Sequence, residues 1–241
     1  MIDLHCHILP DLDDGATDLD DSVAMARQAQ RDGVTTVCAT PHIRHDHAVE
    51  IGALPGRVAA VRAELARRGV DVRVLPGGEV AQTEVDALDD EQLRAVSLGG
   101  AGGWILLEPA PGPLGAPLEL CVERLKARGL RAVIAHPERH ADADLEPRLQ
   151  ALAAAGCLIQ WTAAFVADPA LREPLARWTR MGLVHLLGSD AHSSRFGRPL
   201  ALADGFAALR ELLPEATVAW MAHAAPAAIL RGEPVVAPAF G

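Results

Sequence analysis

Ile2-Asp3-Leu4-His5-Cys6-His7, followed by Asp11-Leu12-Asp13-Asp14-Gly15, opens the chain. Ile2 to His5 reads as a short buried strand, with His5 and His7 at its far end. Residues i and i+2 of a strand point to one face. Two imidazoles so spaced converge on a single point, as a metal site requires. The acidic, glycine-containing loop behind them offers hard oxygen ligands close by. Taken alone, an H-x-H pair is more often two ordinary hydrogen-bonded histidines at a strand end. Its weight comes from the rest of the chain, which keeps placing His, Asp and Glu at the ends of strands.

Working outward, Asp18 to Asp32 reads as a helix with acidic residues at its start and Gly33 as its stop. Val34 to Ala39 is a β-branched run suited to a buried strand, and it ends in Thr40-Pro41-His42. After a polar loop holding His45 and His47, a helix runs to about Arg68. The third strand, Val70 to Leu75, closes on Gly77-Gly78-Glu79, and Val85 to Leu93 reads as a short helical piece. Trp104 to Leu107 is the fourth strand, ending at Glu108-Pro109. A Pro- and Gly-rich loop then leads to a helix with the apolar stripe Leu118, Cys121, Val122 and Leu125. Leu130 to Ala135 is the fifth strand, running into His136-Pro137-Glu138-Arg139. A helix from about Asp144 to Ala155 precedes the sixth strand, Cys157 to Trp161, and another covers Pro169 to Met181. Leu183 to Leu187 is the seventh strand, ending in Gly188-Ser189-Asp190-Ala191-His192, and the remainder is helical.

Strands alternating with helices imply right-handed β-α-β units and a parallel sheet. No G-x-G-x-x-G and no P-loop follows a strand, so nucleotide-binding folds lose weight. Polar residues cluster after six of the seven expected strands. In a β/α barrel those ends share one face and surround one site. The expectation is therefore a single domain over residues 1–241, a distorted seven-stranded β/α barrel of TIM-like type.

Composition narrows the function classes. The chain has 241 residues, half of them hydrophobic, which suffices for a large core, but only 3% are aromatic and none is tyrosine. A net charge of −10 argues against a nucleic-acid surface. There is no basic-then-apolar leader and no apolar run long enough to cross a bilayer, so no membrane insertion is expected. Cys6, Cys38, Cys121 and Cys157 form no C-x-x-C pair and read as buried thiols, which places the chain in a reducing cytoplasm.

Nine residues sit at or just beyond the strand ends: His5, His7, Asp14, His42, Glu79, Glu108, His136, Asp190 and His192. Each alone could be a loop charge or a cap, but nine on one side of a parallel sheet are hard to explain so. Imidazoles and carboxylates without thiolates suit manganese, iron or zinc in a working site rather than structural zinc. Nine donors exceed the needs of one ion and could hold three. Three divalent ions against the four carboxylates leave net positive charge, which favours a phosphate dianion. Such sites activate water near neutral pH and stabilise both entering and leaving oxygens. Arg139, three residues after His136, and Arg198 in Gly197-Arg198-Pro199 are candidates for bidentate phosphate contacts. Arg139 ranks first because it lies nearer in sequence to a candidate ligand.

H-x-H with a downstream D-D-G, then T-P-H, G-x-E, a strand-ending Glu, A-H-P-E-R and S-D-x-H together resemble the PHP (polymerase and histidinol phosphatase) superfamily. The H-C-H-I-L-P-D-L-D-D-G opening, Ile-Leu-Leu-Glu108, His-Pro-Glu-Arg139 and the later Gly-Arg-Pro resemble its bacterial manganese-dependent tyrosine phosphatases of the CpsB/YwqE type. The resemblance covers nearly the whole chain. It implies a trinuclear site, manganese first among the metals, with Glu79 bridging two ions and Asp14 serving the third. It also implies phosphotyrosine hydrolysis on a bacterial tyrosine autokinase that controls capsule or exopolysaccharide synthesis, with His42 or His192 assisting the leaving phenolate. The chain departs from that family at Trp161-Thr162, where Val-Asn is common, and at Ala225-Pro226, where Asn-Pro is common.

Other motifs in the chain have plainer readings. Cys38-x5-Arg44 matches the skeleton of cysteine-dependent tyrosine phosphatases, but Pro41 has no N–H to offer phosphate and Cys38 sits inside an apolar strand. His45 and His47, a second H-x-H, read as solvated loop residues with substrate contact as the alternative, His185 as a core or barrel residue, and His140 and His223 as surface residues. The rival functions are a small-molecule phosphatase, for instance of histidinol phosphate, and a non-catalytic regulator of a kinase or polysaccharide complex.

Overall fold

The structure is a computed structural model that describes residues 1–140 and 145–236. Among these residues nine short strands and nine α-helices follow one another along the chain. β1 is Ile2–Cys6, and α1 (Leu19–Arg31) starts at Asp18, whose carboxylate accepts from the Asp21 N–H at 2.7 Å. Gly33 follows α1 with φ of 75°, the left-handed stop that glycine adopts without strain. β2 is Thr36–Ala39, β3 is His42–Ile43, and α2 spans Leu54–Arg67. β4 (Arg73–Pro76), β5 (Glu79–Ala81), α3 (Asp90–Ala95) and β6 (Trp104–Glu108) come next. Then follow α4 (Ala116–Ala127), β7 (Arg131–Ile134), α5 (Leu145–Ala154), β8 (Leu158–Thr162), α6 (Pro169–Arg180) and β9 (Leu186–Gly188). α7 (Leu202–Arg210), α8 (Glu215–Ala219), a π-helical turn over Trp220–Ala224 and α9 (Ala225–Leu230) finish the fold.

All pairings are parallel, in two ladders ordered β1-β2-β4 and β3-β5-β6-β7-β8-β9. The sheet is curled, so that Cys6 at the end of β1 forms a bridge with Ala191 just after β9. Asp190 N donates to His5 O at 2.8 Å and His7 N to Ala191 O at 2.8 Å. Where the sequence pattern predicts seven strands, two of them are interrupted. The second breaks between β2 and β3 at Thr40-Pro41, where proline cannot donate to the ladder. The third breaks between β4 and β5 at Gly77-Gly78. There a Cβ would lie 2.7 Å from Cys38 Sγ and 2.8 Å from Ile43 Cγ1, so only glycine lets the two broken strands approach. His42 thus belongs to a strand of its own, and Glu79 opens another. The helix expected over Val85 to Leu93 is a turn followed by α3, which begins at Asp90 with a capping box between Asp89 and Gln92. Asp144, the expected start of the fifth helix, lies outside the described residues.

The strands are buried on both faces, as parallel strands under helices must be. Period-two alternation sorts β6 into two apolar clusters: Trp104 and Leu106 join the inner one, Ile105 and Leu107 the outer one beneath the helices. The inner cluster also holds Leu4, Val133, Leu158 and Leu186 and is closed by Ala225 and Ile229 of α9. With apolar packing filling the sheet interior, the polar strand ends are left to line the rim at the other end.

Candidate metal centre

Glu79 stands at the middle of that rim. Its side chain is fully buried and touches four imidazoles. Oε1 lies 2.7 Å from His136 Nε2, and Oε2 lies 3.3 Å from His5 Nε2, 3.4 Å from His7 Nε2 and 3.0 Å from His42 Nδ1. Asp190 completes the inner part, with Oδ1 3.3 Å from His5 Nε2 and 3.5 Å from His7 Nε2. On the open side, Asp14 Oδ1 lies 3.4 Å from His42 Nε2 and 3.3 Å from His192 Nε2, and Glu108 Oε2 lies 3.7 Å from His42 Nδ1. All nine sequence-derived candidates thus meet, in four overlapping clusters whose donor atoms lie within 4.8 Å of one another: His7-Asp14-His42-His192, His5-His136-Asp190, His5-His7-Glu79 and His42-Glu79-Glu108.

The donor set fits divalent ions on an observation of its own. Glu79 Oε2, His42 Nδ1, Asp190 Oδ2 and His136 Nδ1 are buried without a hydrogen bond of proper geometry. Buried polar atoms rarely stay so, and all four belong to residues of the donor clusters, as ligand atoms would. Backbone strain concentrates in the same place. His136 and Asp190, at the ends of β7 and β9, hold positive φ angles of 32° and 50°. Neither residue adopts that conformation without cost, and such outliers cluster at working sites.

Electrostatics is dominated by this packing. Burial raises the Glu79 carboxyl, but the surrounding imidazoles, His5 foremost, hold it well below the ordinary range. His7 is pushed down by burial yet carried up to about 9 by Asp13 and Glu79, and His42 likewise to about 9 by Asp14 and Glu79. His136 falls to about 3 and His192 to about 4, burial being the main cause in each. Hydrogen bonds from His192 and His42 hold Asp14 far below its usual range.

Both candidate arginines reach the site, and both reach the same carboxylate. Arg139 Nη2 pairs with Asp190 Oδ2. Arg198 Nε lies 3.0 Å from Asp190 Oδ2 and 3.0 Å from its backbone O, while Arg198 Nη2 lies 3.2 Å from Oδ1 and 3.1 Å from both ring nitrogens of His192. Burial, then the Arg198 charge, lowers the Arg139 guanidinium. Arg198 reaches the site although it is distant from His136 in sequence, because a loop folds it back over the strand end that precedes it.

Two supporting side chains escaped the sequence reading. Asp13, next to Asp14, accepts from His7 Nδ1 at 2.8 Å and His42 N at 2.9 Å through Oδ2, and from Gly15 N at 2.9 Å through Oδ1. The D-D-G motif contained that signal, since only one of its two carboxylates points at the cluster. Gln160, mid-strand in β8, places Oε1 2.8 Å from His5 Nδ1, and no motif marks it. His47 is no plain solvated residue: its ring stacks on His42 at 5.3 Å and 12°. His45 is exposed and His185 is buried, the latter accepting from Ile159 N at 3.1 Å. His140 is half-buried beside Gly112 O, and His223 is exposed. Cys38 is buried with its thiol donating to Pro76 O at 3.1 Å and pushed up to about 12 by burial, while Arg44 turns away to Glu108. Trp161 and Thr162 are buried in the last two positions of β8, with the Thr162 N–H donating to Glu138 Oε1 at 2.9 Å.

No helix among the described residues is long and apolar enough to cross a membrane. The four cysteines are buried free thiols. Residues 1–231 match the family described as capsular polysaccharide synthesis, CpsB/CapC. The chain is 34% identical over 200 residues to the tyrosine-protein phosphatase YwqE of Bacillus subtilis (strain 168), covering 80% of this chain and 78% of that one. It is 26% identical over 203 residues to the tyrosine-protein phosphatase CpsB of Streptococcus pneumoniae, covering 80% and 83%. A chain from the crystal structures of YwqE from Bacillus subtilis and CpsB from Streptococcus pneumoniae, described as metal-dependent tyrosine phosphatases, superposes with a TM-score of 0.87 at 27% identity, covering 100% of this chain and 98% of that chain. A β-aspartyl dipeptidase of Fervidobacterium islandicum, at TM-score 0.57 and 15% identity, shares the fold alone. With the family match running through every strand that carries a candidate ligand, the chain belongs to the CpsB/CapC family of capsular polysaccharide synthesis proteins.

Proposed function

We propose that this chain is a metal-dependent phosphomonoesterase acting on phosphotyrosine in proteins, and that its substrate is a bacterial tyrosine autokinase governing capsule or exopolysaccharide synthesis. The observation that carries the reading is Glu79 buried among four imidazoles at one sheet end, with two guanidinium groups converging beside it. The nine clustered donors would hold three divalent ions, manganese ahead of iron or zinc, with Glu79 shared between two of them. Bound there, the ions supply activated water and positive charge against the phosphoryl group. Residues 1–241 would act as one PHP-type domain in the cytoplasm, and the interrupted strands as two staves of a seven-stave barrel.

The chain's own groups supply orientation. Arg139 and Arg198 present planar forks from one side of Asp190, a geometry suited to two non-bridging phosphoryl oxygens. The relatives' activity toward tyrosine phosphate supports a phenolic leaving group, which needs little protonation. His42 and His192 flank Asp14, whose side chain is 60% exposed, so they border the open side by which a phenol would depart. The test is metal analysis of the purified protein with phenyl phosphate hydrolysis before and after chelation and re-metallation. Phosphotyrosine peptide turnover should exceed that of histidinol phosphate. Activity that survives complete metal removal would sink the proposal.

A further inference from the structure

A cavity of about 740 Å³ lies beside the candidate centre, lined by none of the nine candidate ligands. It is walled by the loop after β3, the start of α2 and the segment 84–95. Its volume is that of a ligand pocket, about 300–1,000 Å³. Two contacts join it to the centre. Arg44, on its wall, reaches Glu108 Oε1 at 3.2 Å and Oε2 at 3.3 Å, and His47, also on its wall, is the residue stacked on His42. A phosphoryl group seated between the arginines and the donor cluster leaves the rest of its parent molecule to run outward across the rim. On the far side of Glu108, the cavity between Gln82 and the loop Pro109 to Leu118 holds only about 150 Å³, too little for a chain segment.

We infer that the larger groove takes the polypeptide segment flanking a phosphotyrosine, and that it favours a segment bearing lysine or arginine; the inference rests on the phosphatase reading above. The groove combines an apolar floor, including Val49, Ile51 and Leu88, with a rim of carboxylates from Glu50, Glu84, Asp89 and Glu91. Its one guanidinium, Arg44, is already matched by Asp46 at 2.6 Å and by Glu108. Among the described residues the carboxylates of Glu50 and Glu91 have no hydrogen bond or ion pair, and the whole chain carries −10. A lysine or arginine lays its methylene stem along an apolar floor and keeps its charge in water, here beside unpaired carboxylates. An acidic segment would meet the same rim with like charge, and a free aryl phosphate would leave the groove empty.

The test uses the metal-loaded protein and pairs of phosphotyrosine peptides, identical except for lysine or glutamate two and three residues from the phosphotyrosine on either side. The readout is the ratio of kcat/KM within a pair, which cancels any general change in turnover. The lysine peptide should win by about three- to tenfold at low salt, the size expected of one or two exposed ion pairs, and the preference should shrink as salt rises. In Glu50→Lys/Glu91→Lys the ratio should fall to one or invert. The same peptides carrying a non-hydrolysable phosphonate, followed by fluorescence anisotropy, give the ratio as binding. Phenyl phosphate turnover by the wild type reports the phosphatase reading separately, so the two can fail independently. Equal values for lysine and glutamate peptides, or a lysine preference unaltered in the double variant, overturns the inference. So does a shift in the sedimentation coefficient of the double variant without a change in the ratio, which would give the groove to a second copy of the chain.

Discussion

Gln160 fixes His5. The amide Nε2 donates to Trp161 O at 2.8 Å, which forces Oε1 toward His5 Nδ1 at 2.8 Å. Oε1 can only accept, so His5 carries a proton on Nδ1, and Nε2 is the nitrogen turned toward Glu79 and Asp190. Asp13 likewise accepts from His7 Nδ1 at 2.8 Å, and the two Nε2 atoms face each other at 3.3 Å, beside Glu79. Groups that orient metal-binding imidazoles in this way typically matter by about 10–100-fold in metal affinity. Gln160→Met and Asp13→Asn should each weaken metal binding by that order. The Asn variant fails because Asp13 uses both oxygens as acceptors, and an amide nitrogen would face an N–H. Metal titration reads the affinity, and ¹⁵N spectra of the histidine rings read the tautomer. Unchanged affinity in both variants would remove these residues from the site.

Glu79→Ala should lose bound metal and activity more completely than Asp14→Ala. Glu79 touches four imidazoles from a fully buried position, whereas the Asp14 side chain is 60% exposed and meets only His42 and His192. Metal content measured on both purified variants decides it. Wild-type metal content in Glu79→Ala would contradict the central place given to that carboxylate.

Most of this candidate centre is legible in the sequence because its donors lie at or beyond the ends of apolar runs, and strand ends in a parallel sheet share a face. Gln160 was not legible, since a polar residue in mid-strand carries no spacing signal. The approach of Arg198 to Asp190 is not legible, because sequence distance from His136 says nothing about a loop that returns there. The strand breaks at Pro41 and Gly77-Gly78 are visible as residues, but whether a strand ends there or resumes depends on contacts with Cys38 and Ile43, which are tertiary.

Cys38→Ser should keep most activity. The thiol is buried, held up near 12 by burial and bonded to Pro76 O, so it supplies no thiolate at neutral pH. Phenyl phosphate kinetics on the folded, metallated variant check this. A dead enzyme would reinstate the cysteine-dependent reading.

His185 should make the fold acid-labile. Burial lowers its ring from 6.5 to about 4, and the neutral Nδ1 accepts from Ile159 N. The unfolded chain takes up the proton near 6.5 while the folded chain does not. This stabilising contribution is therefore full above 6.5, declines as pH falls, and is gone below about 4. The gap corresponds to about 3 kcal/mol. His185→Gln, whose amide oxygen can still accept from Ile159 N, should lose less stability than wild type between pH 7 and pH 4.5, a span that covers most of the wild-type loss. Parallel denaturation curves for the two proteins would refute the assignment.

Arg139 and Arg198 should separate by their effects on metal. Arg139 meets the site through the Asp190 side chain, while Arg198 also donates to the Asp190 backbone O and lies within 3.1 Å of the His192 ring, whose Nδ1 donates to Asp190 O. Phosphoryl oxygens gain negative character toward the transition state, and a planar fork suits two of them. Loss of one such contact should raise the barrier by about 2–4 kcal/mol, roughly two to three decades in rate. Arg139→Ala should show that loss with metal content unchanged, and Arg139→Lys should also be impaired because charge without the fork is not enough. Arg198→Ala should lose turnover and, in addition, hold metal less tightly, since it frees a candidate ligand ring. Steady-state kinetics on phenyl phosphate, with metal measured on the same samples, distinguishes the two. Near-wild-type turnover in Arg139→Ala would leave that residue as a structural partner of Asp190 and assign the phosphoryl contact to Arg198.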